Sequence, residues 1–180
     1  LDISGVDECL SIASAFDAGT LIASVKALYT DNCDNDLTVT WTNTTPGTNN
    51  DCAWSFEYEY TIVDNCGNPT TCTVLRSGGD QTVLTLSCPS DATEPACQDQ
   101  TAIDLAFSNW ISMFDFSGGC TAMAAFDEVY TAPPACGGSV VVIYRATDCF
   151  GEQVCSASFN VASNQAPVPP ADPTDLSFQC

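Results

Sequence analysis

The chain is 180 residues long, holds twelve cysteines and no histidine, and sets 23 acidic residues against three basic ones, for a formal net charge of -20. Nucleic acid and anionic lipid both need a cationic surface, so the balance excludes them as partners and reads as a coat that keeps neighbouring chains apart. No apolar stretch is long enough for a bilayer span and no charged-then-apolar leader precedes Leu1, so no membrane insertion is expected and the chain reads as an excerpt of a longer protein.

In chain order, Ile12, Phe16, Leu21, Ile22, Val25, Leu28 and Tyr29 follow Cys9 at roughly helical spacing, interrupted by Gly19, which predicts a short amphipathic helix. Leu37, Val39 and Trp41 alternate with threonines and predict a strand, followed by a loop over 43–51. Trp54, Phe56, Tyr58, Tyr60 and Ile62 then alternate with Ser55, Glu57, Glu59 and Thr61 in a second strand. Residues 73–75 and 82–86 continue the sheet, with 77–80 as a turn between them. After Cys97 the periodicity is cleaner: Ile103, Ala106, Phe107, Trp110, Ile111 and Phe114 form one stripe opposite Asp99, Gln100, Asp104 and Ser108, predicting a helix that packs on a sheet. Strands are expected at 124–131, 139–147 and 154–161, and the segment 163–175, with Pro167, Pro169, Pro170 and Pro173, reads as a stiff connector. Short strands, frequent turns and one helix per unit describe a mainly-β fold, a β-sandwich with a helical insertion.

The cysteines carry a period. Cys9, Cys33, Cys52, Cys66 and Cys72 are followed by Cys97, Cys120, Cys136, Cys149 and Cys155, with steps of 24, 19, 14 and 6 and then 23, 16, 13 and 6. Cys72 to Cys97 and Cys155 to Cys180 are both steps of 25, and Cys88 alone falls outside the scheme. Register of this kind marks tandem repeats: a first over residues 1–87, a second over 88–166, and over 167–180 a Pro-rich linker with the start of a third. Units of this size bury little surface, so cross-links are expected to supply stability. A reducing cytosol would not keep them, and the expected location is extracellular.

Spacing suggests Cys33–Cys52 and Cys120–Cys136 as pairs that each close a strand and its loop, with Cys66–Cys72 and Cys149–Cys155 clipping the two Cys-x5-Cys hairpins. Either hairpin cysteine has an alternative partner in Cys9 or Cys97, and Cys88–Cys97 is open too. Zinc is not expected without histidine or a Cys-x2-Cys pair. No catalytic residues are assigned and no enzyme is expected: Glu57 and Glu59 share one strand face, whereas a glycosidase pair straddles a cleft. No cofactor is expected. The one ion with any support is calcium, through Asp31, Asp34 and Asp36, which lack the glycine and terminal glutamate of an EF-hand. Asn43-Thr44-Thr45 is a glycosylation sequon.

Cys88-Pro89, the run from Ala96 to Asp104, Ser117-Gly118-Gly119-Cys120, Pro134-Ala135-Cys136-Gly137-Gly138 and the run from Cys155 to Val161 resemble the cysteine-containing HYR-like, immunoglobulin-like repeats of Bacteroidota surface adhesins of the SprB gliding-motility type. The first unit departs from the pattern at Asp31-Asn32-Cys33 and at Leu10-Ser11-Ile12 but keeps Asp64-Asn65-Cys66-Gly67-Asn68. The resemblance implies tandem immunoglobulin-like sandwiches, export by type IX secretion to the bacterial cell surface, and a stalk or filament role without catalytic residues. Expected partners are neighbouring repeats of the same chain and surface polysaccharide or other cell-surface components. The alternatives are a calcium- or carbohydrate-binding module, for which exposed aromatics such as Tyr58 or Tyr130 would have to line a groove, and a self-assembling filament subunit.

Overall fold

A computed structural model describes residues 1–32 and 36–167. The chain is mainly β: β1 (Ile3–Asp7), α1 (Leu10–Ser14), a 3-10 turn (Ala18–Leu21), α2 (Ile22–Lys26), β2 (Thr38–Asn50), β3 (Ala53–Val63), β4 (Pro69–Gly79), β5 (Thr85–Ser87), β6 (Ala92–Glu94), α3 (Gln100–Ile111), β7 (Asp115–Ser117), β8 (Met123–Phe126), β9 (Gly138–Asp148) and β10 (Gly151–Val161). It divides into two compact units. Unit 1 comprises Leu1–Leu86 with Phe116–Ala125 and Arg145–Val154; unit 2 comprises Ser87–Asp115, Phe126–Tyr144 and Cys155–Cys180.

Two four-stranded sheets share one strand order. The first runs β1-β4-β3-β2 and the second β6-β10-β9-β8, while β5 and β7 form a separate pair. In both, the first strand lies parallel to the last, Ile3 opposite Arg76 in one and Ala92 opposite Phe159 in the other. Between β2 and β3 the ladder is antiparallel and shifts register between Trp41 and Asn43 and again between Pro46 and Asn49.

In unit 1 the alternation of β3 sends Trp54, Phe56, Tyr58, Tyr60 and Ile62 inward, where they meet Ala13, Ala18, Val25, Leu37, Val39 and Val74. The expected helix over 12–29 is broken into three pieces. Asp17 Oδ1 accepts the Gly19 N–H at 2.8 Å, an Asx brace that stops α1 from continuing and starts the 3-10 turn. The expected loop at 43–51 is strand through Asn50, and the expected turn at 77–80 is strand through Gly79. Residues 85–87 join β7 rather than the main sheet. In unit 2, α3 matches its predicted stripe: Ile103, Phe107 and Trp110 are buried, and the Asp99 carboxylate accepts the Ala102 N–H at 2.8 Å as the N-cap. Phe107 and Trp110 lie 5.3 and 5.4 Å from Phe159, which β10 turns inward.

Arg76 occupies the register position of Phe159 yet is equally buried. Its guanidinium stacks 4.3 Å from the Phe16 ring and 4.9 Å from the Trp54 ring, and donates to Glu8 Oε2 at 2.7 Å. Trp54 Nε1 donates to the Glu8 carbonyl at 2.8 Å, so the cation and the indole together hold the residue that precedes Cys9. Arg76→Ala is expected to lower stability by about 3 kcal/mol, and Arg76→Met by roughly half as much, because methionine refills the space between the rings. Urea midpoints of the oxidised variants measure both.

Tyr60, fully buried, donates its hydroxyl to the Ala18 carbonyl at 2.7 Å. Burial, with smaller contributions from Tyr58, Cys72 and Asp17, pushes that hydroxyl up from 10.0 to about 12. The unfolded chain therefore releases the proton first. Stability from neutral Tyr60 is complete below pH 10.0 and is lost as the pH climbs to about 12. Tyrosinate absorbance followed with far-UV circular dichroism should show Tyr60 ionising together with unfolding, and Tyr60→Phe should lose less stability across that window than the parent.

Candidate functional site: a disulfide-centred socket in unit 1

β2 and β3 are joined by a two-residue turn, Asp51-Cys52, closed by Asn50 opposite Ala53 and by Asn50 Oδ1 accepting the Ala53 N–H at 2.8 Å. That turn presents one carboxylate and one sulfur side by side. Asp51 Oδ1 accepts the Leu10 N–H at 2.9 Å, fixing the start of α1 and with it Cys9, and Asp51 Oδ2 accepts the Thr121 hydroxyl at 2.6 Å. Asp80, immediately after β4, donates its N–H to the Asp51 carbonyl at 2.7 Å. A side chain at Gly79 would collide with the Cys52 carbonyl, so only glycine lets β4 pass the turn this closely.

The Asp80 side chain is buried and fully engaged. Its Oδ1 accepts the Thr82 N–H at 2.8 Å and its Oδ2 the Cys120 N–H. The segment Phe116–Ala125 is thereby seated in the socket. Its backbone is left-handed at Gly118, Gly119 and Thr121, with φ of 78°, 69° and 53°, and Gly119 donates its N–H to the Thr82 carbonyl at 3.2 Å. Two disulfides close the arrangement: Cys9–Cys120, with Cα atoms 5.4 Å apart, and Cys52–Cys149, at 5.5 Å. In unit 2 the third bond, Cys88–Cys155, joins Cα atoms 6.3 Å apart. Its partners lie four residues before Ala92 and Phe159, which face each other across the parallel ladder.

These pairs replace every expected pairing whose partners are described. Cys120 belongs to unit 1 and Cys136 to unit 2, and Cys149 and Cys155 are divided the same way, so neither Cys120–Cys136 nor Cys149–Cys155 forms. Cys66 and Cys72 are both thiols. Cys72 faces Tyr60 while Pro69 faces Val63, which puts Cys72 roughly 10 Å down the strand from the turn, beyond the reach of a disulfide. Cys33–Cys52 is excluded because Cys52 is bonded to Cys149; Cys33 itself lies outside the described residues. Cys97 and Cys136 are exposed thiols, so Cys88–Cys97 is not formed either.

Of the calcium candidates, Asp36 Oδ1 lies 3.0 Å from Lys26 Nζ, Asp31 lines a cleft with Tyr29, Leu37 and Asp64, and Asp34 lies outside the described residues. Cys9, Asp51 and Cys120 bring donor atoms within 4.8 Å of one another, but both sulfurs are committed to one disulfide and offer no thiolate. Glu57 and Glu59 face Thr45 and Asn43 across the ladder on the outer side of β3. Asp51, Asp80 and Thr121 carry the socket and were not singled out from sequence. The only signal for them is the Gly-Gly-Cys motif they hold. The chemistry of the site is cross-linking and clamping.

No family model and no curated protein matches the chain.

Asp80→Ala leaves the buried Cys120 N–H and the part-buried Thr82 N–H without an acceptor and should cost about 2 kcal/mol, while Asp80→Asn, which keeps one acceptor, should cost roughly half that. Gly118→Ala should be comparably damaging, because its Cβ would strike the Val83 carbonyl at a left-handed φ. Denaturant midpoints, and the yield of Cys9–Cys120 on oxidative refolding, report both effects.

Proposed function

We propose that this chain is a non-enzymatic stalk or spacer module: two tandem immunoglobulin-like, HYR-like repeats of a large exported bacterial surface adhesin, of the kind its cysteine-flanked motifs resemble. Two observations support the repeat reading, namely the strand order with its parallel first strand, found twice, and the matching cysteine steps. Three disulfides belong to a chain that matures outside a reducing compartment, which supports an extracellular place. Among the described residues, no helix is long and apolar enough to cross a membrane.

The observation that carries the stalk role is the interleaving of the bonds. Cys9, Cys52 and Cys88 all come before any of their partners Cys120, Cys149 and Cys155. A chain pulled from its ends then cannot be drawn out beyond a short covalent path. A sugar-binding module is less well supported, because Tyr58 and Tyr60 are buried and the Tyr130 hydroxyl is occupied as the acceptor of the Ile143 N–H.

Single-molecule stretching between the termini tests this. The path from Leu1 to Cys9, across to Cys120, back to Cys88, across to Cys155 and on to Cys180 is about a third of the chain. The oxidised protein should therefore stop at roughly 23 nm and the reduced protein at roughly 63 nm, at about 3.5 Å per residue. A stalk should also hold its folded length in the oxidised state under loads that extend the reduced one. Full extension of the oxidised protein, or saturable binding of a polysaccharide panel with no mechanical difference between the states, would overturn the reading.

A further inference from the structure

Numbering each cysteine by its place in its own repeat, Cys9–Cys120 joins the first position of one repeat to the second of the next, and Cys52–Cys149 joins the third to the fourth. If that rule is continued, three of the four free thiols among the described residues fall where it puts them, and Cys72, at the fifth position, lies outside it. Cys97 and Cys136, first and third of the second repeat, are exposed and unbonded, and so is Cys66, fourth of the first repeat. These are the open ends of a ladder.

The surroundings of the leftover thiols match those of the bonded ones. In unit 1, the residue after the last strand, Asp80, donates its N–H to the carbonyl of the turn residue beside Cys52 and accepts the N–H of the incoming Cys120. In unit 2, Asn164, just past β10, donates its N–H to the Cys136 carbonyl at 3.3 Å. Its Oδ1, which corresponds to the acceptor that Asp80 offers to Cys120, takes the Cys97 N–H at 2.9 Å, with Cys97 held at φ 71°. Gly137 repeats the close approach of Gly79, its Cβ position lying 2.8 Å from Ser163. The plugs match too. Asp148 Oδ1 braces the hairpin end carrying Cys149 by accepting the Phe150 and Gly151 N–H groups at 2.8 and 3.1 Å. Asp64 Oδ1 braces the end carrying Cys66 by accepting the Cys66 and Asn68 N–H groups at 2.9 and 2.8 Å.

We propose that the second-repeat socket around Cys136 and Asn164 takes the Cys66 hairpin tip of a second copy of this chain, and that a Cys136–Cys66 disulfide locks the two copies head to tail. The inference rests on the repeat reading above, and not on the stalk or adhesive role. By the same rule Cys97 corresponds to Cys33 of the second copy; Cys33 lies outside the described residues, and the argument stands on Cys136 and Cys66. Donor and acceptor surfaces differ, so the contact is heterologous and propagates as an open filament. The oxidant is a small-molecule disulfide such as glutathione disulfide. The Cys136 thiolate attacks it, releasing one glutathione, and the Cys66 thiolate then attacks the Cys136 sulfur, releasing the second. Two thiols lose two protons and two electrons, and one disulfide is reduced to two thiols.

The test uses the full 180-residue chain in a glutathione redox buffer at about 0.15 M salt, where the repulsion between acidic copies is screened beyond about 8 Å. Products are resolved by non-reducing electrophoresis and mapped with an acidic-residue-specific protease. The proposal expects a ladder of multimers containing the Cys66–Cys136 linked peptide. It also expects Cys66→Ser mixed with Cys136→Ser to give that peptide in a heterodimer, at least roughly tenfold above the Cys136–Cys136 and Cys66–Cys66 homodimers in the same mixture, because docking concentrates the paired thiols. Both variants leave the three internal bonds untouched, and their retention verifies the fold. A chain that stays monomeric, multimers joined at random through Cys136–Cys136, or multimers without the Cys66–Cys136 peptide would each overturn it. The stretching result would be unaffected by any of these.

Discussion

Everything in this structure depends on the interleaving of three covalent bonds. Cys9, Cys52 and Cys88 wait for partners 111, 97 and 67 residues further on, so no bond can close until most of the chain has been made. In a chain-entropy account each such closure is worth about 4–5 kcal/mol, and because the loops overlap their contributions are not additive. The noncovalent groups serve this framework by placing sulfurs. Asp51 fixes Cys9 through Leu10, Gly79 allows β4 past Cys52, and Asp80 grips the backbone of Cys120.

The scarcity of positive charge sharpens the meaning of where it is spent. Lys26, Arg76 and Arg145 each meet a carboxylate, Asp36, Glu8 and Glu152 respectively. Two of these pairs lie at the surface, where such contacts are worth little. Arg76 is different: it is buried between two aromatic rings, in a position where the other sheet carries Phe159. One sheet packs its helix through apolar side chains, Ile103 beside the rings of Phe107, Trp110 and Phe159. The other uses a cation to reach the strand-to-helix corner at Glu8 that positions the first cysteine.

Much of the fold was legible in the sequence wherever one face of an element is apolar. The alternation from Trp54 to Ile62 and the stripe from Ile103 to Trp110 gave β3 and α3 their type and their buried side, because burial imposes the period. The Thr- and Asn-rich stretch of β2 beyond Trp41 carries no such alternation, since nearly all its side chains are exposed whichever face they take and only the ladder to β3 makes it a strand. The cysteine period exposed equivalent positions but not partners. A rule that joins the third cysteine of one set to the fourth of the next leaves the same spacings as one that joins neighbours within a set. Asp80 was silent for a simpler reason: a single carboxylate after a strand looks like any turn residue until its two N–H donors are in place.

Many copies of one β-rich unit held close together along a chain are a hazard, because an open strand edge invites its twin to zip onto it. β2 is such an edge, thirteen residues long. Its two register shifts and Pro46 interrupt the run of outward N–H groups, and its counterpart at the edge of the other sheet, β8, is only four residues long. Edges this broken or short are poor templates for cross-β growth. Any association between copies is left to contacts chosen by side chains, which keeps crowded copies ordered instead of letting them collapse into amyloid.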